Sequence, residues 1–110
     1  MKKRLIWGLL AALPMAANAS GSSGTTTIGS ITVDTWNQMI SIVGTTTWSN
    51  PDACGSSSFV ILSFSNANYK DVLAAAMMAS ASGKTVSFFL NGCVASPWGN
   101  APVVTAISVY

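Results

Sequence analysis

The sequence has little of the chemistry that most enzymes use. Its 110 residues include no histidine and no glutamate, and the only arginine is Arg4. Charged residues make up just 7% of the chain. The usual general bases, zinc ligands and oxyanion clamps are therefore nearly all absent. We expect a protein that is not an enzyme and that holds no metal or other cofactor.

The first residues have the three parts of a secretory signal peptide. Basic residues 2–4 precede an apolar run at 5–13, and the small-x-small pattern of residues 17–19 ends in Ala19. The apolar run is about half the ~20 residues that a bilayer span requires, and Pro14 breaks it, so we expect no membrane insertion. The pattern predicts Sec export to the periplasm or the medium, with cleavage after Ala19.

Without residues 1–19 the chain carries one net negative charge, from Lys70 and Lys84 against Asp34, Asp52 and Asp71. There is no basic surface for nucleic acid. Each aspartate lies in a different predicted element, where turn chemistry or helix-start charge accounts for it. Calcium bound by Asp52 and loop carbonyls is the alternative that stays open.

Two cysteines, Cys54 and Cys93, follow the signal segment. In an exported chain they predict one disulfide that braces a small domain. A reactive thiol would need a nearby cation or a CxxC spacing, and neither is present.

The sequence predicts a flexible lead at 20–24 and one domain at 25–110. Period-two alternation and apolar runs predict strands, and a small-residue segment ended by Gly83 predicts a helix. The predicted strands are 27–33, 36–43, 59–64, 85–90 and 103–110, the helix is 69–82, and the long loops are 44–58 and 91–102.

Three strands, a helix and two strands are the element order of the OB fold, a five-stranded partly open barrel. In that barrel the third and fifth strands are parallel neighbours and the fourth is antiparallel to the fifth. The start of strand three then lies near the end of strand four, where Cys54 and Cys93 stand. An open meander with a helix on one face has the same order and remains the alternative.

Several short motifs together resemble a family of small secreted bacterial proteins. They are Asn50-Pro51-Asp52-Ala53-Cys54-Gly55, Tyr69-Lys70, the run Gly83-Lys84-Thr85-Val86, Gly92-Cys93 and a terminal Val-Tyr. The family brings no catalytic residue with it. At the level of the fold, the element order and the signal peptide look like the pentameric B subunits of bacterial toxins, which bind host glycans.

Two tryptophans lie in polar loops that the predicted disulfide would bring together. An aromatic ring in a loop can stack on a sugar ring, and amides beside it can hydrogen-bond the hydroxyls of the sugar. We therefore expect a glycan or a partner protein to bind there. The candidate ligand-binding residues are Trp48, Trp98, Asn50, Asn91 and Asn100. The alternative is that both rings fold back as lids over the barrel. Trp36, at a strand start, is interpreted as core or rim packing.

The predicted helix is apolar or small on two sides, although a solvated helix usually carries charges. We therefore expect a homo-oligomer or another partner to cover the outer side. The candidate face is Ala74, Ala75, Met78 and Ala81. It also supports a second hypothesis, in which the protein is a structural or accessory subunit of a larger assembly and has no small-ligand site.

Overall fold

The computed structural model describes residues 20–110, which form five strands and one helix. The predicted signal peptide lies outside the described residues. In chain order the elements are β1 (Gly21–Asp34), β2 (Met39–Gly44), β3 (Phe59–Ser63), α1 (Tyr69–Ser82), β4 (Thr85–Ser96) and β5 (Gly99–Val109).

The strands close into a barrel in the order β1-β2-β3-β5-β4. The pair β3–β5 is parallel, with Ile61 opposite Val103, and the neighbouring pairs β2–β3, β4–β5 and β1–β4 are antiparallel. The predicted OB-like fold is therefore confirmed, including the pairing on which the disulfide argument relied.

Alternation along the strands builds the core. Ile40 and Ile42 of β2 face the same interior as Val60 and Leu62 of β3, because Ile40 pairs with Leu62 and Ile42 with Val60. The helix buries one small-residue side against the barrel. The rest of this core is Ile28, Trp48, Val72, Ala76, Ala79, Val86, Phe88, Leu90 and Val104.

The opposite face of the sheet carries a second, smaller cluster. Phe59 and Ile61 alternate with the interior residues of β3 and pack with Ala101 of β5. Four successive residues of β3, Phe59 to Leu62, are consequently buried. An unbroken apolar run is typical of a strand covered on both faces, and β3 is such a strand.

The expectation of a flexible lead at 20–24 was wrong, because β1 begins at Gly21. Gly21 pairs with Leu90 of β4, and the Phe88 N–H donates to the buried Ser23 Oγ over 2.8 Å. The first half of β1 pairs with β4 and the second half with β2. The serines and glycines of residues 21–24 show no apolar alternation, so the pairing with β4 that makes this segment a strand could not be predicted from local composition.

Two further boundaries differ from prediction. Residues 35–38 form a turn instead of starting strand two. The predicted loop 91–102 is mostly strand, because β4 continues to Ser96 and β5 starts at Gly99. A register shift between Leu90 and Cys93, with Gly92 at φ 80°, lets the ladder continue past a β-bulge. Gly92 therefore marks an irregularity inside a long hairpin.

Helix α1 occupies the predicted residues and ends at Gly83, which adopts φ 68° in the left-handed region. Asn68 stands at the N-cap but makes no side-chain capping bond. Across residues 20–110, no helix combines the length and the hydropathy that a membrane crossing would require.

Candidate functional site

The β4–β5 hairpin presents Trp98 at its tip. Ser96 pairs with Gly99, which leaves Pro97 and Trp98 as the turn. The Ser96 Oγ donates to the Gly99 carbonyl over 2.6 Å and accepts from the Trp98 N–H over 3.2 Å. Trp98 is 39% exposed, so a large aromatic ring stands partly in solvent on a turn held by its own hydrogen bonds.

The disulfide joins β4, near the tip of this hairpin, to loop 44–58. Cys54 and Cys93 are bonded with their Cα atoms 5.6 Å apart, which confirms the predicted pairing. On either side of it, the Gly92 N–H donates to Asp52 Oδ2 over 2.6 Å and the Gly55 N–H donates to Asn100 Oδ1 over 2.7 Å. One covalent bond and two hydrogen bonds therefore fix the loop to the hairpin.

The predicted amides have different roles at this end of the barrel. Asn50 Nδ2 donates to the Cys54 carbonyl over 2.7 Å, while Asn50 Oδ1 accepts from the Cys54 N–H over 2.8 Å. Both polar ends of Asn50 thus shape the loop around the cysteine. Asn91 and Asn100 are exposed residues of β4 and β5, on the same hairpin as Trp98.

Trp48 does not join Trp98 at the surface. Its side chain is only 3% exposed and belongs to the main core, where it meets Phe88 edge-on. Its Nε1 is buried and has no hydrogen-bond partner among the described residues. The expectation that Trp48 is an accessible loop aromatic is therefore not supported by the geometry. Of the two predicted rings, Trp48 follows the lid alternative and Trp98 does not.

Trp36 was interpreted as packing, and that interpretation was wrong, because its side chain is 91% exposed. It lies in the β1–β2 turn, where Asp34 Oδ1 accepts from the Trp36 and Asn37 N–H groups over 3.0 and 3.1 Å. Asn37 Nδ2 also donates to Asp34 Oδ2 over 2.8 Å. An aspartate followed by an asparagine three residues later is a turn signal, and it could have placed Trp36 outside a strand.

The charges near these turns are few. The hydrogen bonds from Asn37, first from its side chain and then from its backbone, lower the pKa of Asp34 below its ordinary value of 3.8. Lys70 lies in the first turn of α1, and Lys84 is the residue after Gly83. No group of three or more metal-ligating side chains occurs in the part of the chain that the structure describes.

One side of α1 is open to solvent and mostly uncharged. Its exposed residues follow helical spacing and include Ala74, Met77, Met78 and Ala81, with Met77 at 54% and Met78 at 50% exposure. Ala75, predicted as part of this face, is half-buried. Met77 was missed because the sequence alone does not set the rotation of a helix that is apolar on several sides.

Comparison with known proteins yields no relative: no protein-family model matches the chain, and neither a curated protein nor a solved structure matches it.

Proposed function

We propose that this protein is a secreted, non-catalytic module that binds glycans, with Trp98 as the ring on which a sugar stacks. The observation that carries the proposal is a half-exposed tryptophan on a hairpin that a disulfide and two side-chain hydrogen bonds hold in place. A hairpin backbone held in this way needs little further ordering when a ligand binds. In OB folds the β4–β5 loop is one of the segments that contact oligosaccharides and oligonucleotides.

The charge distribution favours a glycan over a nucleic acid. Proteins that bind single strands combine aromatic rings with a positively charged groove. Here Asp52 bonds the hairpin beside the disulfide. Of the two lysines in residues 20–110, Lys70 lies in the first turn of α1 and Lys84 follows Gly83 at the end of the helix. A sugar needs no counter-charge, because its apolar face stacks on the indole and its hydroxyls bond to amides such as Asn91 and Asn100.

Secretion and the lack of catalysis are parts of the same proposal. The disulfide suits an oxidising compartment, which the signal-like residues 1–19 also indicate. Each aspartate has a position that favours a structural role: Asp34 in a turn, Asp52 against the hairpin and Asp71 in the first turn of α1. Such a module would deliver recognition alone.

A glycan array probed with the oxidised mature protein, beside Trp98→Ala and Tyr110→Ala, tests the proposal. Tyr110 is 64% exposed and its backbone bonds to Thr85 at the start of β4, so it is a matched aromatic away from the hairpin tip. We expect Trp98→Ala to weaken binding by about tenfold, the order of one aromatic contact. Binding lost equally in both variants, or no glycan bound by the wild type, would refute the role.

A second function is favoured by the exposed side of α1. Two half-exposed methionines with alanines around them form a helical surface that a second copy or another subunit would cover. In this case the protein is a homo-oligomer or the accessory subunit of an assembly. The two functions are compatible, because the helix face and the hairpin tip use different residues.

A further inference from the structure

Asn91 is the only asparagine of residues 20–110 that a glycine follows. Glycine has no side chain, so the backbone nitrogen of Gly92 can approach the side-chain amide carbon of Asn91 closely. Such a pair is prone to deamidation, in which the following backbone nitrogen attacks the amide of the asparagine. This reaction is one reason why asparagine counts among the thermolabile residues of proteins. The surroundings of each asparagine therefore decide where this chain is chemically labile.

Most of the other asparagine side chains are held by hydrogen bonds. The side chains with such bonds are those of Asn37, Asn50, Asn66 and Asn100. Within residues 20–110, the side-chain amides of Asn68 and Asn91 make none. Asn68 precedes Tyr69, a bulky residue that starts α1 and whose N–H donates to the Asn66 carbonyl over 3.1 Å. Asn91 is exposed and precedes a glycine, so it alone combines an unheld amide with an unshielded nitrogen.

The nitrogen that would attack is the one that contacts Asp52. Asn91 and Gly92 form the bulged part of β4, since the β4–β5 register shifts between Leu90 and Cys93. The Gly92 N–H points to loop 44–58, where it donates to Asp52 Oδ2 over 2.6 Å. Attack requires this nitrogen to lose its proton, which would place negative charge against the carboxylate at hydrogen-bond distance. Because like charges repel, the contact slows the reaction.

We infer that Asn91 is a site of spontaneous deamidation and that Asp52 sets its rate. Hydroxide takes the proton of the Gly92 nitrogen, which forms a bond to Asn91 Cγ. The Cγ–Nδ2 bond breaks, and Nδ2 leaves as ammonia after taking a proton from water, which restores the hydroxide. Water then opens the five-membered succinimide ring to aspartate or isoaspartate. Water is the co-reactant, and no atom is oxidised or reduced.

The product changes the junction between the hairpin and loop 44–58. Aspartate or isoaspartate at position 91 places a new carboxylate one residue from the contact between Gly92 and Asp52, and the two negative charges repel each other. Isoaspartate also adds a methylene to the main chain of β4, the strand that leads to Trp98. The modification would remove the Asn91 amide from the proposed glycan site, and this consequence alone rests on the proposed function.

The test is incubation of the oxidised protein at neutral and at mildly alkaline pH, followed by peptide mapping with mass spectrometry. Enzymatic methylation detects the isoaspartate product. We expect Asn91 to convert before any other asparagine of residues 20–110. Asp52→Ala should convert about tenfold faster, because a charge-assisted hydrogen bond to the attacking nitrogen is lost. Asp71→Ala removes an exposed carboxylate from the first turn of α1 and should leave the rate unchanged.

A second variant separates the charge of Asp52 from its role in holding the loop. Asp52→Asn keeps an oxygen that can accept from the Gly92 N–H and removes the negative charge, so it should also convert faster than the wild type. Thermal unfolding of each variant establishes that it is folded.

Two outcomes would overturn the inference. The site is wrong if Asn91 remains an amide while another asparagine of residues 20–110 converts. The role of Asp52 is wrong if folded Asp52→Asn converts at the wild-type rate or more slowly, and a slower rate would identify the carboxylate as a base. Neither readout needs a ligand, so failure of the protein to bind any glycan would overturn the proposed function and leave these results unaffected.

Discussion

The indole ring of Trp48 meets the ring of Phe88 edge-on, with 5.1 Å between their centroids. This contact ties loop 44–58 to β4 from inside the barrel, while the disulfide ties the same loop to β4 from its rim. The loop is therefore a structural part of the domain at two points. Its polar composition reflects the turns between those points, and its aromatic residue belongs to the core.

Replacement of Trp48 should destabilise the protein strongly. We expect Trp48→Ala to lower the free energy of unfolding by about 3–5 kcal/mol, because it opens a cavity beside Phe88. Trp48→Phe should cost less, since it keeps an aromatic contact and removes the buried Nε1–H that lacks a partner. Urea unfolding of both variants measures the difference. If Trp48→Phe were as damaging as Trp48→Ala, the indole nitrogen would have a partner in solution.

The disulfide should contribute most of the stability of the hairpin end. Its cysteines are 39 residues apart in sequence, for which the chain-entropy relation gives about 4 kcal/mol. We expect the double variant Cys54→Ala/Cys93→Ala to lose about that amount in urea unfolding. The hydrogen bonds of Gly92 and Gly55 should keep the loop in place in the folded variant. A decrease in the free energy of unfolding of less than about 1 kcal/mol would show that the unfolded chain gains little conformational freedom when the disulfide is removed.

Acid should weaken the β1–β2 turn. The pKa of Asp34 is lowered in the folded protein, so the carboxylate stabilises the fold above its unfolded pKa, and this contribution is lost as the pH falls through the folded pKa. The loss is therefore expected below pH 3.8, the ordinary value. An NMR titration of the Asp34 carboxyl carbon should give a midpoint below that value. Asn37→Ala should raise the midpoint, because Asn37 supplies the largest stabilising bond; an unmoved midpoint would contradict this assignment.

Charge on the outer side of α1 should prevent self-association. We expect the wild type to sediment as an oligomer at micromolar concentration and Met77→Glu/Met78→Glu to sediment as a monomer, because desolvating a carboxylate in an apolar contact is unfavourable. Trp36→Ala is the control and should remain oligomeric. A wild-type protein that is monomeric throughout this range would remove the helix face as an interface between copies.

The fold could be predicted because its signals are local. The alternation in β2, the apolar run of β3 and the glycine after α1 each act within a few residues. The extent of β1 and β4 could not be predicted, because Gly21–Gly24 and residues 91–96 are strands only by virtue of their partners. A β-bulge at Gly92 has the same composition as a loop.

The candidate site could be predicted only in part, for a related reason. Trp98 and Trp48 have similar neighbours in the sequence, yet one stands on a two-residue turn and the other enters the core. Burial depends on where the loop crosses the barrel, and that path is fixed by the disulfide and by bonds to β1, such as the one from the Ser49 N–H to the Ser23 carbonyl. Trp36 was misplaced because the β1–β2 turn spans residues 35–38, so that β2 begins only at Met39.

Closure of the strand order also bears on how the native protein behaves when concentrated. Each strand of residues 20–110 has hydrogen-bonded neighbours on both sides over at least part of its length, which leaves only short edges for another chain to extend. A sequence this rich in β-branched residues and this poor in charge would otherwise be prone to form fibrils. The β3–β5 ladder aligns a single pair, Ile61 with Val103, so we expect the ring to open there first if it opens at all.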